Sequence, residues 1–268
     1  MNPLLSPGRI GGVAIKNRIV MPPMTTRLAD AEGHVTEETI AYYMARVRGG
    51  VGLVTVEMAS PTRAGRHRRN ELGIFDDRFL PGLTRLVQEI HAGGAKASIQ
   101  LGHGGGHTRR DICGETPIAP SAIPHPVYEV TFETVVPLEM TRARIDVTTA
   151  AFAAAADRAR RAGFDCVEIH AAHGYLISQF LTPFENRRTD EYGGSLANRA
   201  RFALDILRAV KAAVSGTPVI FRISVDDYFP EGMPYAEAGR SRSGRRRPAP
   251  TRCTSRPATT ARCRRRRG

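Results

Sequence analysis

Two imidazoles and a phenol directly follow an apolar run in CVEIHAAHGYLISQF, residues 166–180. His170 ends the run, and His173 and Tyr175 follow within five residues. Imidazole N–H groups can stabilise charge that develops on a substrate oxygen, and a phenol can donate a proton as a general acid. The spacing therefore indicates a reactive site where a buried strand ends.

The same histidines have an alternative use as metal ligands. His170 and His173 form an HxxH pair, which His103 and His107 of GHGGGH could complete. The chain has no HExxH motif and no carboxylate at a customary ligand spacing, so we predict no metal site and keep a histidine-ligated metal hydrolase as the alternative.

Five predicted strands, each of four to eight residues, have helical segments between them. The strands cover 18–21, 52–56, 95–101, 166–169 and 218–225, and the helices cover 36–48, 80–91, 144–162 and 195–214. This alternation is typical of right-handed βα units and a parallel sheet. The chain is thus an α/β protein, and we predict a (β/α)₈ TIM barrel that stops after about five strands.

Polar or unusual residues lie at the C-terminal ends of these strands, which face one rim of such a barrel. They are Pro23, Met24, Thr25, Ala59, Ser60, Gln100, His170 and Arg222. Singly, each has an ordinary structural role: Gln100 could hold a loop, and Arg222 could pair with Glu168 or Asp226. Their joint position favours a pocket. Residues 102–141 interrupt the repeats, and we expect a long excursion with a hairpin over the site.

The basic character of the chain is concentrated in residues 240–268, which contain twelve arginines and no acid. Without them the net charge of +13 falls to 27 basic against 26 acidic residues. The segment has no Val, Ile, Leu, Met or aromatic residue and cannot bury enough apolar surface to become ordered. We predict domain 1–239 and a disordered tail 240–268. The tail either binds nucleic acid or, as its composition favours, is a frameshift product of a GC-rich gene.

The cysteines and the hydropathy pattern predict the compartment. The four cysteines form no CxxC pair, which argues against a zinc ribbon and a disulfide scaffold. No apolar run reaches membrane-spanning length, and the first twelve residues lack a secretory signal. We therefore predict a cytoplasmic protein with free thiols and no membrane partner.

Residues 170–202, HAAHGYLISQFLTPFENRRTDEYGGSLANRARF, closely resemble the signature of the old yellow enzyme family of FMN-dependent NAD(P)H:flavin oxidoreductases. Residues 15–25, 100–103 and 119–122 match further family segments, and the resemblance extends from about residue 3 to residue 234. The resemblance implies FMN at the C-terminal rim of a (β/α)₈ barrel, reduced by NADH or NADPH.

The resemblance assigns the cofactor contacts to the first three strand ends and to the fifth. Pro23, Met24 and Thr25 would lie against the flavin, and Ala59 or Ser60 would offer backbone groups to its edge. Gln100 and Arg222 would donate hydrogen bonds to the pyrimidine oxygens and N1. A positive charge near N1 stabilises the anionic reduced flavin.

The substrate contacts come from the fourth strand end. His170 and His173 would hydrogen-bond the carbonyl or nitro oxygen of a conjugated alkene, and Tyr175 would protonate its α-carbon. Arg27 stands where one branch of the family has a substrate-contacting tyrosine. The implied partner is a small unsaturated molecule, with no specific nucleic acid.

The resemblance also concerns the end of the chain. The family binds the flavin phosphate on loops after strands seven and eight, in line with the general barrel rule. We expect those loops to be missing here, so FMN retention and stability should be low. In the full-length family a homo-oligomer would be the assembled form.

Overall fold

Continuous apolar runs form the central strands of the computed structural model, which describes residues 2–125, 134–228, 231–234, 236–237 and 253–255. The elements are β1 (Gly8–Ile10), β2 (Val13–Ile15), β3 (Val20–Met21), α1 (Glu37–Arg48), β4 (Leu53–Ala59), α2 (Leu80–Ala92), β5 (Lys96–Leu101), α3 (Arg110–Cys113), β6 (Ile118–Ala119), β7 (Leu138–Glu139), α4 (Arg142–Arg161), β8 (Cys166–Ala171), α5 (Leu176–Leu181), α6 (Leu196–Arg199), α7 (Arg201–Ala213), β9 (Val219–Ile223) and β10 (Cys253–Ser255).

The main sheet is parallel throughout and has the strand order β10-β9-β8-β5-β4-β3. Helices α1, α2, α4 and α7 follow one another in space and cover one face. The five predicted strands are β3, β4, β5, β8 and β9. The α/β class and the part-barrel sheet are therefore confirmed.

Local signals explain where the covering helices begin and end. Thr36 accepts a hydrogen bond from the N–H of Thr39 at the start of α1, and Thr141 does the same from Arg144 at the start of α4. Helix α4 ends before Gly163, whose φ of +95° suits glycine. Helices α6 and α7 meet at Ala200 and together cover the helix predicted over 195–214.

Alternation along the strands separates two environments. Val167 and Ile169 of β8 belong to the large apolar cluster that the helices cover. Cys166 faces the other way, into a small cluster completed by the β1–β2 hairpin, with members Ile10, Ile15, Leu53, Cys166 and Ile220. Because side chains alternate with a period of two, Glu168 and His170 share the face of Cys166. The inner face is thus apolar at the N-terminal end of the sheet and polar at the C-terminal end.

One prediction differs from the structure. The excursion after β5 does not form the predicted hairpin in its described part, because β6 and β7 pair in parallel, whereas hairpin strands are antiparallel; residues 126–133 lie outside the described residues. In the tail, Cys253–Ser255 pairs with β9 as a sixth parallel strand, and the division into a domain 1–239 and a disordered tail 240–268 stays a prediction. Strand pairing uses backbone groups, so the open edge of β9 accepts a segment without apolar side chains. The rest of 240–268, apart from these three residues, lies outside the described residues.

Among the helices that the structure describes, none is long and apolar enough to cross a membrane. Cytoplasmic location stays a prediction.

Candidate functional site

The turn after β8 directs the predicted catalytic residues across the C-terminal end of the sheet. His173 and Gly174 both have left-handed backbone conformations, with φ of +62° and +73°. This conformation is unfavourable for a residue with a Cβ, so it persists only where the surroundings enforce it. The N–H of His173 donates to Ser224 Oγ at 3.1 Å, which anchors the turn to the residue after β9. The chain then re-enters a helix, α5, immediately after Tyr175.

A glutamine of α5 ties this turn to the glycine-rich loop after β5. Gln179 Nε2 donates to the carbonyl oxygen of Gly174 at 2.8 Å, and its Oε1 accepts from the N–H of Gly106 at 3.0 Å. The N–H of Leu176 donates to the carbonyl oxygen of His103 at 2.9 Å. Glycine is required at position 105, where φ is +61° and a Cβ would lie 2.3 Å from Gln179 Oε1.

His170 is a neutral imidazole whose Nε2 can donate a hydrogen bond. Its Nδ1 accepts from the N–H of Ala172 at 3.3 Å, which places the ring hydrogen on Nε2. Burial lowers the pKa of His170 well below its usual value, and the charges of His173, Arg222 and His67 add to this effect. The ring of His173 lies edge-on to that of His170, with centroids 5.0 Å apart.

Tyr175 lies at the centre of a group of imidazoles. Its hydroxyl is 2.9 Å from Nε2 of His67, and its ring is edge-on to His67 and His170 at 4.8 Å from each. On another side it stacks on His107 at 5.2 Å, and His107 stacks on His125 at 4.5 Å. Burial lowers the pKa of His107 well below normal and that of His125 to about 4. Neutral rings therefore line this side of the phenol.

Gln100 and Arg222 both contact Glu168, the residue of β8 that lies between them. Gln100 Nε2 donates to Glu168 Oε1 at 2.7 Å, and Arg222 Nη1 lies 3.8 Å from the same oxygen. All three side chains are buried. Burial raises the pKa of Glu168, while Arg222 and the hydrogen bond from Gln100 oppose the rise. Arg222 therefore pairs with Glu168, as the alternative interpretation predicted, and it also lies on the inner face of the sheet.

The segment after β3 is held by Thr26, which lies beside the predicted residue Thr25. The N–H and hydroxyl of Thr26 donate to the two carboxylate oxygens of Glu57, at 2.8 and 2.5 Å. Burial raises the pKa of Glu57, and these hydrogen bonds offset part of the rise. Pro23 is half-buried and Thr25 exposed, while Met24 is 49% exposed although it is apolar. Arg27 is exposed with a φ of +60°.

At the end of β4, Ala59 and Ser60 already form hydrogen bonds within the protein. The N–H of Ser60 donates to Leu72, its carbonyl oxygen accepts from Ile74, and its hydroxyl donates to the carbonyl oxygen of Thr62. Ala59 accepts from the N–H of Gly102 at 3.3 Å. Because a carbonyl oxygen has two lone pairs, the carbonyl oxygens of both residues can accept a further hydrogen bond, whereas the N–H and hydroxyl of Ser60 already donate within the protein.

The four histidines of the metal alternative do not bring their donor atoms together. In the described part of the chain, the one set of three or more ligand atoms within 4.8 Å of one another belongs to Asp30, Glu32 and His34, far along the chain from them. His103 Nδ1 accepts from the N–H of Gly105 at 3.0 Å, and burial followed by Arg144 lowers its pKa to about 3. The geometry therefore does not support a hydrolase centred on these histidines.

Sequence reasoning missed His67, Glu71 and Gln179. His67 and Glu71 lie in a polar loop whose contact with Tyr175 spans 108 residues of sequence. The i,i+4 spacing of the His–Glu pair was the available signal. Gln179 lies inside the segment that resembles the old yellow enzyme family but had no assigned role.

Comparisons with known proteins identify the family of the chain. The model of the NADH:flavin oxidoreductase / NADH oxidase family matches residues 3–243. An NADH oxidase of Thermoanaerobacter brockii is 43% identical over 240 residues, which are 88% of this chain and 36% of that protein. An NADPH dehydrogenase of Geobacillus sp. (strain WCH70) is 46% identical over 241 residues, 87% of this chain and 68% of that protein.

A solved structure shows the same fold. The old yellow enzyme homologue from Zymomonas mobilis superposes with a TM-score of 0.80 at 31% identity, covering 87% of this chain and 66% of that one. The chain spans between about a third and two thirds of the length of these proteins. It belongs to the NADH:flavin oxidoreductase / NADH oxidase family, as its resemblance to the old yellow enzymes predicted.

Proposed function

We propose that the chain forms the flavin-ring and substrate end of an FMN-dependent oxidoreductase, which uses NADH or NADPH to reduce a carbonyl- or nitro-conjugated alkene. One observation carries the proposal. The neutral N–H donor His170 and the phenol of Tyr175 lie 4.8 Å apart, ring to ring, and His170 is paired in register with Arg222. A hydrogen-bond donor, a proton donor and a cation thus share one end of the sheet.

The described residues fit the ring of FMN by the chemistry of their donors. Gln100 has an amide that can both donate and accept, and Arg222 has a guanidinium that donates only. Such groups suit the pyrimidine edge of a flavin. Met24, an exposed apolar side chain after β3, suits an apolar ring face. When bound, FMN supplies the hydride that it receives from NAD(P)H.

His170 and His173 would bind the activating oxygen of the substrate. Nε2–H of His170 donates to the carbonyl or nitro oxygen, and the interaction strengthens as negative charge develops there. Because the pKa of His170 is low, the ring stays neutral and acts as a hydrogen-bond donor without a positive charge. The burial of His170 also excludes water from its side of the oxygen.

Tyr175 would deliver the proton that completes the reduction at the α-carbon. The residue is half-buried, its hydroxyl contacts His67, and its ring packs among the surrounding imidazoles. General acid catalysis by such a group contributes about 10²–10⁴-fold to the rate. Its position at the start of α5, after the left-handed turn, keeps the phenol on the same side as His170.

The proposal is tested by product analysis with the 268-residue chain, saturating FMN, NADPH and 2-cyclohexen-1-one in D₂O without oxygen. We expect cyclohexanone that carries deuterium at the α-carbon, because that hydrogen comes from the exchangeable O–H of Tyr175. Tyr175→Phe should slow product formation by about 10²-fold or more.

Tyr42→Phe is the matched control, because Tyr42 lies on α1 under the guanidinium of Arg46, away from this end of the sheet. Its rate should equal that of the wild type. If the wild type forms no cyclohexanone, or if Tyr175→Phe and Tyr42→Phe behave alike, the proposed function is wrong.

A further inference from the structure

We infer that His67 is a positioning residue that returns a proton to Tyr175, with Glu71 as its counter-charge. The inference deepens the proposed function and rests on it for the identity of the reaction. It starts from three groups in contact: the Tyr175 hydroxyl is 2.9 Å from His67 Nε2, and His67 Nδ1 is 2.7 Å from Glu71 Oε2. His67 and Glu71 are both fully buried.

The environment of Glu71 defines which nitrogen of His67 carries a hydrogen. Glu71 Oε2 accepts from the backbone N–H of His67 at 2.8 Å and of Arg68 at 3.1 Å. Two N–H donors favour the carboxylate form of Glu71, and a bare ring nitrogen at 2.7 Å would be repelled by that oxygen. We therefore place a hydrogen on Nδ1, although this close contact does not meet hydrogen-bond geometry. Only Nε2 is left to change its proton occupancy, and Nε2 faces the phenol.

Two further imidazoles, those of His107 and His170, lie near His67, and the cations Arg66 and Arg68 are its neighbours in the chain. The His107 ring lies 6.3 Å from that of His67, and His170 senses the charge of His67. Burial lowers the pKa of both well below normal. His67 faces the carboxylate of Glu71 at 2.7 Å. A buried imidazolium is tolerated only beside such a counter-charge, so His67 is where this cluster can hold an extra proton.

The proton balance follows from this geometry. For each alkene reduced, the Tyr175 O–H bond breaks and the proton goes to the α-carbon. The Nε2–H bond of His67 then breaks and its proton goes to the phenolate oxygen. A replacement proton then reaches His67 from water that enters beside the half-buried Tyr175 once the product has left, while its Nδ1–H and Glu71 stay unchanged. When Nε2 carries its hydrogen, it donates to the phenol oxygen, so the hydroxyl hydrogen points away from His67 and is available to the substrate.

The first test measures Tyr175 directly and needs no cofactor. The chain is labelled with ζ-¹³C tyrosine, and loss of a signal in Tyr175→Phe identifies its resonance. In His67→Phe we expect this signal to shift and the pKa of the phenol to rise, because the phenolate loses its N–H donor. His91→Gln, which alters a histidine–carboxylate pair at the other end of the sheet, should leave the signal in place.

The second test separates a proton role from a structural one. Stopped-flow traces follow the FMN-saturated chain as it is reduced by NADPH and then reoxidised by either 2-cyclohexen-1-one or ferricyanide. His67→Gln and Glu71→Gln should slow reoxidation by the enone about 10- to 100-fold. Reduction by NADPH and reoxidation by ferricyanide, which protonate no carbon, should match those of His91→Gln.

The outcomes distinguish the two proposals. Equal slowing with both oxidants, or an enone rate that His67→Gln leaves unchanged, overturns the inference while the proposed function stands. If the wild type does not reduce the enone at all, the proposed function fails, and the tyrosine signal alone decides: an unaltered titration in His67→Phe overturns the contact as a proton path, and a raised pKa supports it.

Discussion

Two histidine–carboxylate pairs lie at opposite ends of the same sheet, each with a contact of 2.7 Å. At the C-terminal end, the side chains of His67 and Glu71 are 2% and 0% exposed. At the N-terminal end, His91 and Asp165 are 36% and 12% exposed, and Lys96 joins them at 2.8 Å. The two pairs have similar residue types, but the N-terminal pair is partly exposed to water and the C-terminal pair is buried.

This difference shows at which end of the sheet the burial of charged groups destabilises the fold. Charged groups at the N-terminal end keep part of their hydration. Ion pairs there need little desolvation and contribute little to the free energy of unfolding. At the C-terminal end Glu71, Glu168 and Arg222 are withdrawn from water, which destabilises the fold unless every group is well paired. Such groups concentrate at functional sites because chemistry requires them there.

Arg222→Leu should produce the largest loss of stability and so tests the comparison most strongly. Glu168 would remain buried without the cation 3.8 Å away, and breaking a buried pair on one side costs about 3–5 kcal/mol. Lys96→Leu, at the N-terminal end, should cost less than about 1 kcal/mol because its partner stays hydrated. Urea unfolding at pH 8 measures both free energies.

The loss from Arg222→Leu should also shrink as the pH falls. Burial raises the pKa of Glu168, so its protonated form is reached early on acidification and needs no cation. Equal losses for Arg222→Leu and Lys96→Leu at pH 8 would show that the two ends of the sheet do not differ in this way.

Gly102→Ala should have the next largest effect, because packing at the C-terminal end leaves no room for a methyl group. A Cβ on Gly102 would lie 2.2 Å from Met58 Sδ and 3.2 Å from the Cβ of His170. Overpacking of this kind costs about 1–3 kcal/mol. Gly12→Ala in the β1–β2 hairpin meets nothing within 4 Å and should change the free energy of unfolding little. Thermal unfolding followed by circular dichroism compares the two; a Gly102→Ala variant as stable as Gly12→Ala would contradict the packing described.

The strands and their polar ends could be predicted because both signals are local. Apolar runs with glycine stops define β4 and β5, and a polar residue at the end of a parallel strand has one rim to face. His170 and Arg222 were therefore placed correctly on neighbouring strands, where they pair in register.

The contacts that orient those residues could not be predicted in the same way. Tyr175 meets His67 across 108 residues, and the loop that carries His67 has no periodicity to fix its direction. Likewise, Thr26 was overlooked beside Thr25 because only the fold shows which of the two reaches Glu57. Sequence pattern predicts which rim a residue occupies, and packing between distant loops determines its hydrogen-bond partner.

Asp165→Asn should have the smallest effect, and its pH dependence comes from a carboxyl whose pKa is lowered in the folded protein, whereas that of Glu168 is raised. Burial alone would raise the pKa of Asp165, but hydrogen bonds from the Ala97 N–H, Lys96 and His91 outweigh it and lower the pKa. A carboxyl with a lowered folded pKa contributes stability above its unfolded pKa of about 3.9, and this is lost as the pH falls through the folded value. Asp165→Asn should therefore cost about 1 kcal/mol at pH 6 and progressively less towards pH 3. Urea midpoints across this range measure the change, and a difference from the wild type that grows on acidification would mean that Asp165 is not the stabilising carboxylate of this end.

Glu168 should behave oppositely, because a raised pKa makes its ionisation destabilising as the pH rises. The N-terminal end of the sheet is then stabilised by the charge of Asp165, whereas the charge of Glu168 destabilises the C-terminal end.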